Sequence, residues 1–417
     1  MHDFHYQDGA LHCESTPLEK IAREVGTPFY CYSRHTLINH LKVYSDAFKD
    51  VPNIICFAVK ANSNLGVLRE LVKEGAGCDI VSGGELFRAL KAGCDPKKIV
   101  YAGVGKTAEE IEYALKSGIL MFNAESSQEL FAIDIVAGRL GKKAAVALRV
   151  NPDVDPKTHP YISTGLKKNK FGISIDSALE EYRLASRMDN LEIVGVHQHI
   201  GSQITQISPF VDAVERLLDF VEKLKEINIR IKYIDIGGGL GITYKDEAPP
   251  LPVELAKEIV PLLKKHDCTI VMEPGRVIVG NAGVLVTKVI YSKMNEGKTF
   301  YVVDAGMNDL VRPTLYQAHQ AIQPVSHDSL KRTKVEADIV GPICESGDFL
   351  AKDRVVPEFK QEELMAVMSA GAYGFSMSSN YNSRRRAAEV LVVGDKYHVV
   401  RERETLEDLV RGEKMVG

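Results

Sequence analysis

The sequence predicts two domains of unlike pattern: an α/β domain built as a (β/α)8 barrel of the TIM type, and a second, β-rich domain resembling a sandwich or barrel. Eight short apolar runs alternate with amphipathic runs of helical period across roughly 220 residues, the size and rhythm of a parallel barrel. Beyond about residue 280 the helical runs give way to strand-like segments separated by Gly, Pro and Asn turns. At 417 residues and 45% hydrophobic content, the chain has material for two cores rather than one. An open, doubly wound sheet is the rival for the first domain, because periodicity does not distinguish a closed sheet from an open one.

The chain opens with a polar stretch suited to one edge strand, after which Ser33 precedes a helix running to Lys49. Barrel strands are expected at 54–59, 78–81, 99–102, 120–123, 144–150, 193–199, 233–236 and 269–272. Helices are expected between them at 65–74, 85–92, 108–117, 127–137, 178–187, 210–226 and 253–265, several opened by Ser or Thr caps. In the second domain the strands fall at 284–291, 299–303, 335–340, 364–368, 388–393 and 397–399, and the polar segment 357–363 reads as a surface turn.

A formal net charge of -4 argues against a nucleic-acid or anionic-membrane partner, so the expected ligand is a small molecule. The amino terminus carries no basic segment leading into an apolar one, and no apolar run approaches membrane-spanning length. The seven cysteines are scattered without a C-x-x-C pair, which indicates neither a disulfide framework nor a structural metal site and suits a reducing, cytoplasmic setting.

Barrel chemistry belongs at the carboxyl ends of the strands, and chemical residues collect there. Lys60 ends the first apolar run. An amine at the rim of a core has its charged form disfavoured, and a neutral amine can condense with a carbonyl such as the aldehyde of pyridoxal phosphate. The second strand carries Asp79 and leads into Ser82 to Glu85; the fifth carries Arg149 and Asn151. The sixth ends on His197, Gln198 and His199, the seventh on Asp235 and Gly237 to Gly239, the eighth on Glu273, Gly275 and Arg276. The glycine run suits either an anion held by backbone N–H groups or a turn needed for close packing. His199 reads as a hydrogen-bonded core group or as a flat ring able to stack on a heteroaromatic one. Glu273 reads as a partner for Arg276 or for a pyridine nitrogen, which a neighbouring anion would keep protonated.

In the β-rich domain, Cys344 and Glu345 sit between Pro342 and Gly347, a setting that suits an accessible loop better than a buried strand. Arg312 is equipped to grip a carboxylate in two-point fashion, and Tyr316 and Tyr373 offer hydroxyl donors or simple packing. The basic segment 167–172 reads as a loop over the site or as a solvated turn.

These motifs, in this order and over nearly the whole chain, resemble the fold-type III pyridoxal-phosphate decarboxylases, most closely those acting on meso-diaminopimelate. The resemblance rests on Phe57 to Asn62, Ser82 to Glu85, His197 to Gln203, Gly237 to Gly239, Glu273 to Arg276, Asp304 to Arg312, Gly341 to Ser346 and Ser369 to Tyr373. It implies a barrel domain over 35–278, with 1–34 joining 279–417 in the β-rich domain. Lys60 would hold pyridoxal 5'-phosphate covalently, His199 would lie on its ring and Glu273 would pair with the ring nitrogen. Gly239, Gly275, Arg276 and Tyr373 would contact the cofactor, mostly around its phosphate. Arg276, Arg312, Tyr316 and Tyr373 would bind substrate, with Glu345 on its distal ammonium and Cys344 as proton donor. A homodimer with shared active sites is implied, as is decarboxylation at the D-centre to give L-lysine. Glu273 speaks against the racemases of similar architecture, which would place an arginine there; Arg312 speaks against ornithine and arginine as substrates, which lack a distal carboxylate. A non-catalytic cofactor-binding regulator is the reading outside enzymes, and Lys60 together with Cys344 weighs against it.

Overall fold

The computed structural model describes residues 2–156, 158, 159, 162, 164, 165 and 170–417. They divide into two compact units: one of Met1–Asn39, Tyr244–Asp246 and Ile278–Gly417, the other of His40–Thr243 and Glu247–Val277.

The second unit is a closed ring of eight parallel strands: Asn53–Ala58, Gly77–Ile80, Ile99–Tyr101, Met121–Ala124, Ala144–Asn151, Leu191–His197, Tyr233–Asp235 and Thr269–Met272. Closure is visible in the register, with Met272 opposite Ile55 and Phe122 opposite Val146. The open-sheet alternative is thereby excluded. Each strand is short and apolar, and inward residues such as Cys56, Val100, Met121, Ala147, Val194 and Val271 fill one contiguous core. Helices return the chain from strand to strand, and their starts are held chemically. Asn64, Ser82, Thr107 and Ser126 each accept a backbone N–H of their helix, with Thr107 and Glu110 forming a reciprocal capping box.

Two boundaries move in a way that matters. The first strand ends at Ala58, whose last partner is Asp79, and Val59–Ala61 form a 3-10 turn. Lys60 therefore sits on a tight turn beyond the strand rather than on the strand itself. The sixth strand ends at His197, which leaves Gln198 and His199 in the irregular segment after it.

In the first unit a long strand, Gly283–Asn295, organises a sheet with Lys298–Val303, Lys334–Val340 and Phe349–Pro357 on one side and Phe29–Ser33, Ala388–Val393 and Lys396–Arg401 on the other. The amino-terminal segment does more than supply an edge. Phe29–Ser33 is buried throughout and pairs on both sides, while Phe4–Gln7, Ala10–Cys13 and Thr16–Pro17 form a small sheet of their own. Strand Phe349–Pro357 and the short helix Arg312–Tyr316 were not anticipated. No helix among the described residues is long and apolar enough to cross a membrane.

Candidate active site

At the carboxyl ends of the barrel strands, Lys60 Nζ contacts Oδ2 of Asp79, whose side chain is fully buried while that of Lys60 is about one-third exposed. Burial and the nearby Glu273 push the Asp79 carboxyl up to about 7, against the pull of Lys60. Burial also works to raise Glu273, but the His197 ring beside it, its Nε2 at 3.4 Å, together with Lys60 holds this carboxyl well below the usual range. Glu273 is thus the stable anion of the site. It does not pair with Arg276, which instead donates from Nη2 to Ser202 Oγ at 3.1 Å.

His199 is held by the glycine run. Gly238 donates its N–H to His199 Nδ1 at 3.1 Å, so the neutral ring carries its proton on Nε2. Burial, then the Arg149 guanidinium, lower its basicity well below the ordinary value. Arg149 in turn pairs with buried Glu125 at 3.2 Å. The glycines are needed for this approach. A Cβ on Gly237, where φ is +70°, would stand 2.5 Å from Gln198 O and 2.7 Å from His199 Nδ1. At Gly239, φ is +115° and a Cβ would stand 2.6 Å from Gly201 O. Close packing is therefore a real function of the run. Gly275 lies close against the lysine turn, where a Cβ would meet those of Ala58 at 3.0 Å and Ala61 at 3.1 Å.

The remaining predicted residues belong to the β-rich unit. Arg312 is 5% exposed at the start of its helix, its guanidinium 4.4 Å from the Tyr244 ring centroid. Tyr316 closes the same helix. Thr314 donates to Gly347 O at 2.6 Å, tying that helix to the loop that carries Cys344 and Glu345. Cys344 is exposed, as its loop setting suggested, and its N–H donates to Asn382 Oδ1 at 2.7 Å. Tyr381 donates to Glu345 Oε2 at 3.1 Å. Tyr373 is partly buried with φ at +54°.

Sequence reasoning placed Asp79 and Asp235 at strand ends without a role, and missed Asn123 and Asp348. Asn123 and Asp235 are linked at 3.0 Å inside the barrel, and Asp348 accepts from Met307 N and Ile343 N, each at 2.6 Å, clamping the thiol loop. Their signal was available in part: Asp79, Asn123 and Asp235 each interrupt an otherwise apolar strand, where a polar group needs a reason. Tyr244 carried none. Of the basic segment, Lys167, Lys168 and Asn169 lie outside the described residues; Lys170 Nζ stands 5.2 Å from the Phe171 ring.

The donor set of the barrel unit fits pyridoxal phosphate. It offers a primary amine, a buried anion, a neutral imidazole and a glycine turn close to Arg276. Asp79 Oδ1 and both His197 ring nitrogens are buried with no hydrogen-bond partner among the described residues. Residues 34–280 match the family described as pyridoxal-dependent decarboxylase, pyridoxal binding domain. The chain is 54% identical to a Pseudomonas aeruginosa protein named diaminopimelate decarboxylase, covering 100% of both. Diaminopimelate decarboxylase from M. jannaschii in co-complex with L-lysine has a TM-score of 0.94 at 39% identity, covering 99% of this chain and 98% of that one. The Helicobacter pylori enzyme complexed with L-lysine has a TM-score of 0.91 at 44% identity, covering 94% of this chain and 98% of that one.

Proposed function

The chain belongs to the pyridoxal-dependent decarboxylases, and from that premise we propose that it removes the carboxyl group at the D-centre of meso-diaminopimelate, giving L-lysine and carbon dioxide. The observation that carries this is the pairing of Lys60 with Asp79 in the same unit as the Glu273 anion and the Gly238-anchored His199. It is joined to full-length similarity with proteins of that named activity. Pyridoxal 5'-phosphate, when bound, supplies the electron sink that accepts the pair left on the α-carbon as carbon dioxide departs.

The chain's residues do the rest. Lys60 attaches the cofactor, and Asp79 accepts the amine's proton when it is in the charged form. Glu273, as a lasting anion, would keep the ring nitrogen protonated, and His199, uncharged, would lie on the ring without competing for that anion. Gly239, Gly275, Arg276 and Tyr373 are assigned to the cofactor, chiefly its phosphate. Arg276, Arg312, Tyr316 and Tyr373 are assigned to substrate, with the distal carboxylate on the arginines and Glu345 on the distal ammonium. Cys344, exposed on its loop, would deliver the proton that replaces the lost carboxyl. We assign cofactor binding to the barrel domain, 35–278, and the thiol to the β-rich domain, 1–34 with 279–417. In a homodimer Cys344 and Glu345 of each chain would serve the other's cofactor. A cytoplasmic location accords with seven cysteines in thiol form.

The deciding experiment supplies purified protein with meso-diaminopimelate, ornithine and arginine in parallel and measures carbon dioxide. Selective release from meso-diaminopimelate is expected. Preference for ornithine or arginine would overturn the assignment of Arg312.

A further inference from the structure

The carboxylate assigned to the ring nitrogen has company. Asn123 on the fourth strand, His197 ending the sixth, Asp235 ending the seventh and Glu273 just past the eighth turn into one group inside the barrel, none more than 4% exposed. One potential ligand atom from each of His197, Asp235 and Glu273 lies within 4.8 Å of the others. Asn123 Nδ2 donates to Asp235 Oδ2 at 3.0 Å and to Glu273 Oε1 at 3.3 Å, so a single amide spans two carboxylates. The second oxygen of Asp235, Oδ1, accepts from Gly237 N at 3.0 Å.

Two carboxylates this close in a dry interior do not both ionise, and the charge settles where the surroundings are more positive. That is Glu273, with the His197 ring nitrogen at 3.4 Å and the pull of Lys60 behind it. Asp235 has neutral amides from Gly237 and Asn123 and an anion for a neighbour. The other charged groups acting on the cluster are Asp79, Lys60, Arg149 and Glu125, of which the lysine lies on the Glu273 side of the balance.

We infer that Asp235 is a positioning residue: it retains a proton and, through the Asn123 amide, fixes Glu273 as the one anion of this group, oriented for the ring nitrogen of the cofactor. The inference rests on the cofactor assignment above and deepens it. A proton shared evenly between the two acids would leave Glu273 half neutral and loosen its hold on a protonated ring; keeping the proton on Asp235 prevents this. The glycine turn takes part as well, since Gly237 N holds Asp235 while Gly238 N, the next residue, holds His199.

The test titrates apoprotein with pyridoxal phosphate, following fluorescence and the bound absorbance band, for the native chain, Asp235→Asn, Asp235→Ala and Asn123→Ala, with circular dichroism as the fold check. Asp235→Asn replaces a neutral acid by a neutral amide, and Asn123 has an unpartnered Oδ1 to turn toward it. This variant keeps its cofactor affinity within about threefold, with an unchanged band between about pH 6 and pH 9. Asp235→Ala and Asn123→Ala release Glu273 and weaken cofactor binding about tenfold or more, with kcat falling further than KM changes. Should Asp235→Ala not fold, Asn123→Ala and Asp235→Asn still decide the matter. The inference is overturned if Asp235→Asn weakens binding as much as removal of the side chain does, which would make Asp235 an anion. It is equally overturned if the alanine variants bind like the native chain. A native chain that binds no cofactor would instead overturn the assignment beneath it.

Discussion

Lys60 and Asp79, 19 residues apart, meet because the first two barrel strands run in register from Cys56 opposite Gly77 to Ala58 opposite Asp79. The amine is one turn beyond the end of its strand and the carboxylate is within its own, so a partly exposed amine faces a fully buried acceptor. Lys60→Ala is expected to abolish the covalently held cofactor, read as loss of the borohydride-trapped mass adduct, and to lower kcat by several orders of magnitude. A variant that still binds cofactor covalently would remove the assignment.

Cys344→Ala is expected to keep cofactor affinity and the visible band while lowering kcat by about a hundredfold or more, the range of a lost general acid. Stopped-flow absorbance and carbon dioxide release together check this. Native turnover in the variant would exclude the thiol as proton donor.

Gly237→Ala places a Cβ in a left-handed backbone position, 2.7 Å from the nitrogen of His199 that Gly238 anchors. The cost is about 1–3 kcal/mol of stability. Thermal unfolding measures it, and cofactor affinity should fall as His199 is displaced. An alanine variant with native stability would mean the turn relaxes without loss.

Burial holds His197 below its ordinary value of 6.5. An unfolded chain takes up a proton at this site as pH falls through 6.5, whereas the folded chain resists until lower pH. Its contribution is therefore present above that value and is lost on acidification. The melting temperature of the apoprotein should drop between about pH 7 and pH 5, and His197→Asn should drop less over the same window. An identical pH slope in the two proteins would show that another group sets it.

Arg312→Ala is expected to raise KM for meso-diaminopimelate by about tenfold or more with a smaller change in kcat, since a charge-assisted pair to the distal carboxylate acts on binding. Its preference for diaminopimelate over ornithine should narrow. Initial rates with both substrates settle this.

Much of the fold was legible because the barrel writes itself locally: an apolar run, a capped helix and a polar turn, repeated. The strands at 269–272 and 99–102 were placed to within one residue on that basis. Phe29–Ser33 was not, because a strand donated to a distant sheet pairs with Gly283–Asn295 and Ala388–Val393, partners that lie far along the chain. The chemical residues were visible as types at strand ends. Their partners were less visible, since Glu273 meets His197 and Asn123 rather than its neighbour Arg276.

The amino-acid order by itself determined which side chains would arrive at the carboxyl ends of the strands, since strand period and turn chemistry are properties of neighbouring residues. Only the tertiary structure decided which of them touch: closing the ring sets Asn123 against Asp235 across 112 residues of sequence and Gly238 against His199 across 39. The same closure buries those contacts away from water. In that dry setting the neighbours of each carboxylate decide which one keeps its proton and which keeps its charge.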